Sequence, residues 1–290
     1  DGLKKKRPGQ VGGFDCDISS KLPIGAGISS SAALECGLAK GLNSLFDLGL
    51  EDIEIIEISR IAEHNFVGTK CGVMDQFAVT MGQFNKLILL NCESLEHHLI
   101  DADFSLYKII LLNSNVSHNL ASSEYNNRRA ECELALKIIQ KKHPQFAFLS
   151  DVPETVIESL KEKFPGKVFQ RALYVSRENA RTLEAAALIQ KGKVKEFGAL
   201  MYQTHLGLSK NYEVSCRELD FLVDLTQNLP QVVGSRMMGG GFGGCTINLV
   251  EDDFVSAFTH LAQEQYKKEF GIAISPILVE TSNGVEITNT

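Results

Sequence analysis

The sequence predicts an α+β chain of two domains, and three observations carry that reading. The chain has 290 residues, more than one small core organises. Apolar residues recur with period 2 in some stretches and with period 3.6 in others, which calls for strands and helices together. The two patterns mix without strict alternation, which favours α+β layers over a doubly wound parallel sheet. The division is expected near residue 105, into an N-terminal domain 1–105 and a C-terminal domain 106–290.

Taken in order, residues 14–20 alternate apolar and polar and read as a strand leading into a glycine-bearing loop. Leu34, Leu38, Leu42 and Leu45 then recur at helical spacing. Residues 52–66 form the next helix, with Ile58, Ile61, Ala62 and Asn65 on one face and Gly68 ending it. Met74, Phe77, Ala78 and Met81 fall at i, i+3, i+4 and i+7, a short helix that starts near Cys71-Gly72. Residues 86–91 and 107–113 read as strands. From 125 to 139 one helical stripe holds Tyr125, Arg128, Arg129, Cys132, Ala135, Leu136 and Ile139. Helices fill most of 154–228. Residues 232–237 and 245–250 are strand-like, joined by a glycine cluster at 239–244, and one more helix and a strand at 277–280 follow. No repeat or low-complexity linker interrupts the chain.

Composition excludes several function classes. Apolar residues make up 44% and charged residues 22%, an ordinary globular balance. A net charge of −7 argues against a nucleic-acid partner, which calls for a basic excess. The one dense basic run, Lys4-Lys5-Lys6-Arg7, precedes Pro8-Gly9 and reads as a solvated loop. No stretch approaches the ~20 apolar residues of a membrane span, and no signal peptide opens the chain. The seven cysteines are odd in number and form no CxxC pair. They read as free thiols of a reducing, cytoplasmic compartment. His64, His118 and His205 show no metal-ligand spacing.

Two glycine-rich stretches carry chemistry. In the first, Pro23-Ile24-Gly25-Ala26-Gly27-Ile28-Ser29-Ser30-Ser31-Ala32-Ala33, a flexible loop opens a helix. Backbone N–H groups at a helix N-terminus, beside the positive end of its dipole, make an anion site, and phosphate is its common guest. The stretch is neither a Walker loop nor a nucleophile elbow. A serine N-cap on a plain helix is the competing reading. In the second, five glycines surround Phe242, more than a hairpin turn requires. Asp75, in the first turn of its helix, has its ionised form favoured by the dipole, so it could accept or orient a hydroxyl proton.

These two motifs, in this order, resemble those of the GHMP small-molecule kinases. Residues 71–83, 113–132 and 211–220 are further similar to galactokinase sequence, with Met238 standing where the family pattern has Thr. The resemblance runs from about residue 15 to the end. It implies the two-domain GHMP kinase fold with a ferredoxin-like C-terminal domain, and ATP-dependent phosphorylation of galactose at O1, the Leloir-pathway reaction. It implies that Gly25, Gly27, Ser29, Ser30, Ser31 and Ala32 bind ATP, and that Ser31 and Glu63 hold Mg2+. Asp75 would be the catalytic aspartate, and Gly72, Asp75 and Tyr125 would contact the sugar. Arg128 and Arg129 are expected to pair with Glu131 and Glu133 more than to act in catalysis. The family's N-terminal signature, an Arg-Asn stretch followed by Gly-Glu-His and then Asp-Tyr, is absent from these residues. The N-terminal domain is therefore expected to be truncated and this piece inactive alone, its full-length form a monomer. The alternatives are a non-catalytic galactose and ATP sensor, which Ser31-Ala32 disfavours, and a kinase for a related sugar such as N-acetylgalactosamine.

Overall fold

A computed structural model describes residues 1–23, 25–117 and 121–288, so Ile24 of the loop motif and His118 lie outside the described residues. The chain divides into two compact units, Asp1–Ala102 with the segment from Glu280 onward, and Asp103–Val279.

The first unit contains helices α1 (Gly2–Lys6), α2 (Ser30–Leu45), α3 (Asp52–Ala62) and α4 (Met74–Met81). Strands β1 (Lys86–Leu90) and β2 (His97–Asp101) follow as an antiparallel pair. The basic run is helical rather than a loop. Leu3 is buried with Leu42, Leu48, Ile55 and Ile58. The Arg7 Nε donates to the Leu48 carbonyl at 2.9 Å, so one apolar anchor and one arginine fix a segment whose lysines stay solvated. The start of α3 is set by a capping box between Glu51 and Glu54. Its buried face is Ile55, Ile56, Ile58 and Ser59, not the expected face, and Ile61 is exposed.

Residues 14–20 form no strand. A period-2 pattern becomes a strand only when a neighbour completes its hydrogen-bond ladder, and among the described residues no strand pairs with this segment. It runs instead along the outer face of α2, where Phe14, Ile18, Leu34, Leu38 and Leu45 line a groove of 810 Å³. The inner face of α2 is made by Ala32, Cys36, Ala39 and Leu42. The C-terminal segment belongs with this unit and not with the expected domain 106–290. Val285 N–H donates to the Val79 carbonyl at 3.0 Å, and Asn85 N–H donates to Thr281 Oγ1 at 2.8 Å.

The second unit holds β3 (Tyr107–Ser117), α5 (Ala121–Gln140), α6 (Glu154–Ser159), α7 (Val168–Gln190), α8 (Val194–Gly207), α9 (Arg217–Thr226), β4 (Val232–Met237), β5 (Gly243–Glu251), α10 (Val255–Phe270) and β6 (Ser275–Val279). The sheet order is β4-β5-β3-β6, and every pairing is antiparallel. With helices between β3 and β4 and α10 between β5 and β6, this is the split βαβ arrangement of the ferredoxin-like fold. Helix α9 buries Leu219, Leu222, Val223 and Thr226, the i, i+3, i+4, i+7 stripe of an amphipathic helix. A core of Ile110, Leu112, Leu222, Val250, Phe258 and Tyr266 joins α9 and α10 to the sheet. Gly198 of α8 passes so close to β4 that an added Cβ would lie 2.0 Å from the Val233 carbonyl oxygen. His205 is buried, accepts the Met237 N–H at Nδ1 (3.2 Å) and sets Nε2 3.1 Å from Asp220, a structural tie between α8, β4 and α9.

Candidate active site

The loop before α2 turns tightly because Gly25, Gly27 and Ser29 occupy left-handed backbone, at φ 76°, 72° and 59°. The Ser29 carbonyl accepts the first helical hydrogen bond, from Ala33 N–H at 3.0 Å. The N–H groups of Ser30, Ser31 and Ala32 therefore have no acceptor within the helix. The first turn carries no acidic side chain, and Ser29 does not cap the helix with its hydroxyl, as a plain N-cap would. What results is a row of donors without a helical acceptor at the positive end of a 16-residue helix, suited to an anion. Ala32 is buried beneath it, and Ser31 is exposed above it.

The carboxylates come from the neighbouring helices. After Ala62, α3 widens into a π-turn over Glu63–Val67, closed by Gly68 at φ 82°. One-turn π-bulges redirect side chains and recur at functional sites; here Glu63 is 8% exposed. Asp75 sits half-buried in the first turn of α4. Gly72 is exposed, with open space where a Cβ would stand. The His64 imidazole holds the Cys71 carbonyl at 2.8 Å. Burial first, and then the charges of Glu63 and Asp75, push the Cys71 thiol up, so the two carboxylates share one electrostatic neighbourhood.

Two residues escaped the sequence reading. Glu35, on α2, is in hydrogen-bond contact with Glu63 and with Gln76 of α4. Burial, and then the Glu63 carboxyl, raise its pKa well above the ordinary carboxylate range. Glu35 Oε2, Glu63 Oε2 and Gln76 Oε1 are buried and have no hydrogen-bond partner. The i, i+4 spacing of Ser31 and Glu35 was the available signal. Among the described residues no group of three His, Cys, Asp or Glu side chains is arranged around a metal. Mg2+, however, takes only one or two protein carboxylates besides substrate phosphates. Unpartnered buried carboxyl oxygens of this kind fit that ion.

In the second unit, Tyr125 of α5 packs against the glycine-rich turn between β4 and β5. A Cβ at Gly240 would lie 3.3 Å from its ring. Gly241, at φ 85°, stacks on the Val214 carbonyl oxygen, which a Cβ there would approach to 2.0 Å. The Val214 carbonyl accepts Phe242 N–H at 2.8 Å. Residues 211–214 are in turn gripped by two arginines. Arg128 Nε donates to the Tyr212 carbonyl at 2.8 Å. The Arg171 side chain is 2% exposed and donates to the Asn211 carbonyl, to Glu131 at 3.0 Å and to Glu213 at 2.7 Å. Arg128 also pairs with Glu131 (3.1 Å) and Arg129 with Glu133 (3.1 Å), the structural pairing expected of them. Hydrogen bonds from Lys167 and then Arg171 hold the Glu213 carboxyl down at about 2.

A glycine-turned anion loop, carboxylates gathered beside it, and a split βαβ unit with its own glycine-rich turn define a GHMP kinase. Family models agree: that of the GHMP kinases N terminal domain matches residues 2–83, and that of the GHMP kinases C terminal matches residues 185–268. A galactokinase from Clostridium acetobutylicum is 38% identical over 278 residues, 96% of this chain and 71% of the relative. A galactokinase from Thermotoga maritima is 39% identical over 282 residues, 97% of this chain and 78% of the relative. The crystal structure of Lactococcus lactis galactokinase complexed with galactose matches with a TM-score of 0.87 at 32% identity, covering 91% of this chain and 68% of that one. The chain belongs to the galactokinase family of sugar kinases. All seven cysteines are free, and among the described residues no helix is long and apolar enough to cross a membrane.

Proposed function

We propose that the protein transfers the γ-phosphoryl group of ATP to O1 of galactose, giving galactose 1-phosphate and ADP. The single observation that carries this is its 38–39% identity to galactokinases over nearly the whole chain. The galactose complex of the Lactococcus lactis relative supports the same sugar. The free N–H groups and hydroxyls of residues 29–32, turned by Gly25 and Gly27, hold the ATP phosphates. Asp75 takes the proton of the O1 hydroxyl as O1 attacks the γ-phosphorus and ADP departs. Gly72, through its N–H, and Tyr125, through its hydroxyl, orient the sugar. Ser31 and Glu63 would hold Mg2+, which when bound neutralises phosphate charge. Such catalysis is mostly positioning, and it needs no covalent intermediate. The protein acts as a cytoplasmic monomer.

A coupled assay of ADP release over a sugar panel, run on a chain that also carries the family's N-terminal signature, tests this. Galactose is expected to give the highest kcat/KM. Turnover with N-acetylgalactosamine or another hexose but not galactose overturns the substrate. Galactose binding without turnover makes it a sensor.

A further inference from the structure

Three helices of the first unit meet along a polar seam. From α2 come Glu35 and Cys36, from α3 and its π-turn Ser59 and Glu63, and from α4 Gln76 and Thr80. In each of the latter two helices the pair is spaced i, i+4, so both members face the same way. The Cys36 thiol, buried, donates to the Gln76 backbone carbonyl at 3.8 Å at one end of the seam, where Ser59 Oγ and Thr80 Oγ1 are also buried without a hydrogen-bond partner. At the other end the carboxyls of Glu35 and Glu63 meet the Gln76 amide. Glu35 contacts Glu63 and Gln76, and the one charge acting on it is that of Glu63, with no basic side chain to offset it. Gln76 is 2% exposed and Glu63 is 8% exposed. Even so, Glu35 Oε2, Glu63 Oε2 and Gln76 Oε1 accept no hydrogen bond.

Buried acceptors are nearly always satisfied, and facing carboxyls repel when both ionise. Glu35 shares hydrogen bonds with Glu63 and Gln76, but the three oxygens left over have no donor, and a cation would satisfy them. An all-oxygen set of two carboxylates and an amide suits a hard divalent ion. Ser31 lies one helical turn N-terminal to Glu35, at the phosphate loop, so the seam opens where nucleotide phosphates are proposed to sit. We propose that Glu35 is a second carboxylate of the metal centre at Glu63 and Ser31, with Gln76 Oε1 beside it. The proposal deepens the ATP-dependent reading and rests on it for the nature of the ion. Glu35 lies in the same electrostatic neighbourhood as Asp75, both acting on the Cys71 thiol. A cation there also keeps the carboxylate cluster from repelling the incoming phosphates.

Mn2+ binding to the chain without nucleotide or sugar, followed by water-proton relaxation, tests the inference. One Mn2+ is expected, displaced by Mg2+. Glu35→Gln should weaken it by about 10–100-fold, the usual loss when a metal site is stripped of a supporting group. The metal-free unfolding temperature of Glu35→Gln should be no lower than the parent's, because its amide can donate to Glu63. In the unsubstituted chain, diamagnetic Mg2+ should shift the carboxyl 13C signals of both Glu35 and Glu63, a readout that does not depend on the variant folding. Mn2+ affinity within twofold of the parent in Glu35→Gln, a Mg2+-induced shift of Glu63 alone, or no Mn2+ bound by the folded parent would each overturn the proposal. Because no substrate is present, a failed sugar assay leaves this result standing, and a failed Mn2+ titration leaves the galactose reading standing.

Discussion

Replacing Gly241 by alanine tests whether the glycine-rich turn is shaped by contact with residues 211–214. The added Cβ would lie 2.0 Å from the Val214 oxygen and 2.9 Å from Met237 Cε, at φ 85°. The first contact is with backbone, which cannot rotate away as a side chain could. Val214 is held in place by the Phe242 N–H and, through its neighbours, by Arg128 and Arg171. Three effects add: left-handed strain in an L residue, overpacking, and loss of the Phe242–Val214 hydrogen bond. Together they amount to about 3–5 kcal/mol. For a unit spanning Asp103–Val279 that lowers the melting temperature by roughly 10 °C, at about 2–4 °C per kcal/mol. Gly192→Ala is the control. Gly192 has φ 67° with nothing within 4 Å, so it incurs only the strain of about 1–2 kcal/mol. Thermal unfolding followed by circular dichroism compares the two. If Gly241→Ala melts as high as Gly192→Ala, the close approach to Val214 is not what shapes the turn.

In a chain that also carries the family's N-terminal signature, Asp75→Asn should keep much of the galactose affinity and lower kcat by about 10²–10⁴-fold in the coupled assay; a loss of only a few-fold removes Asp75 from the chemistry. Arg171→Ala leaves the Asn211 carbonyl and two glutamates without their guanidinium, and should cost about 3–5 kcal/mol in chemical denaturation; a cost under 1 kcal/mol would show the network to be dispensable. Glu213 gives a pH dependence of known sign. Its carboxyl titrates at about 2 when folded against an ordinary value of 4.5, so its stabilisation is complete above the ordinary value and disappears as pH falls from there toward 2. Glu213→Gln should flatten the stability profile between pH 4.5 and 2 relative to the parent, and an unchanged slope would refute the pairing with Lys167 and Arg171.

By itself the sequence determined what is local. Helices α2, α4 and α5 follow from apolar spacing, and the β4–turn–β5 hairpin follows from glycines between two apolar runs. The loop motif was legible because left-handed glycines and a helix start are neighbours in sequence, and the anion site proposed there would be made of their own backbone. Tertiary structure decided what depends on partners far along the chain. Residues 14–20 carry a strand's alternation but find no ladder, and β2, with two histidines in five residues, forms because β1 offers it one. The buried face of α3 was misjudged because periodicity shows that a face exists, not which neighbour covers it. The π-turn at Glu63 leaves no mark in spacing, since one extra residue per turn is set by packing. Glu35 joins Glu63 and Gln76 only where three helices converge, and desolvation, not proximity in sequence, sets its charge. Arg171 reaches residues some forty positions away in both directions, and only the fold reveals that its guanidinium holds the segment on which the glycine-rich turn rests.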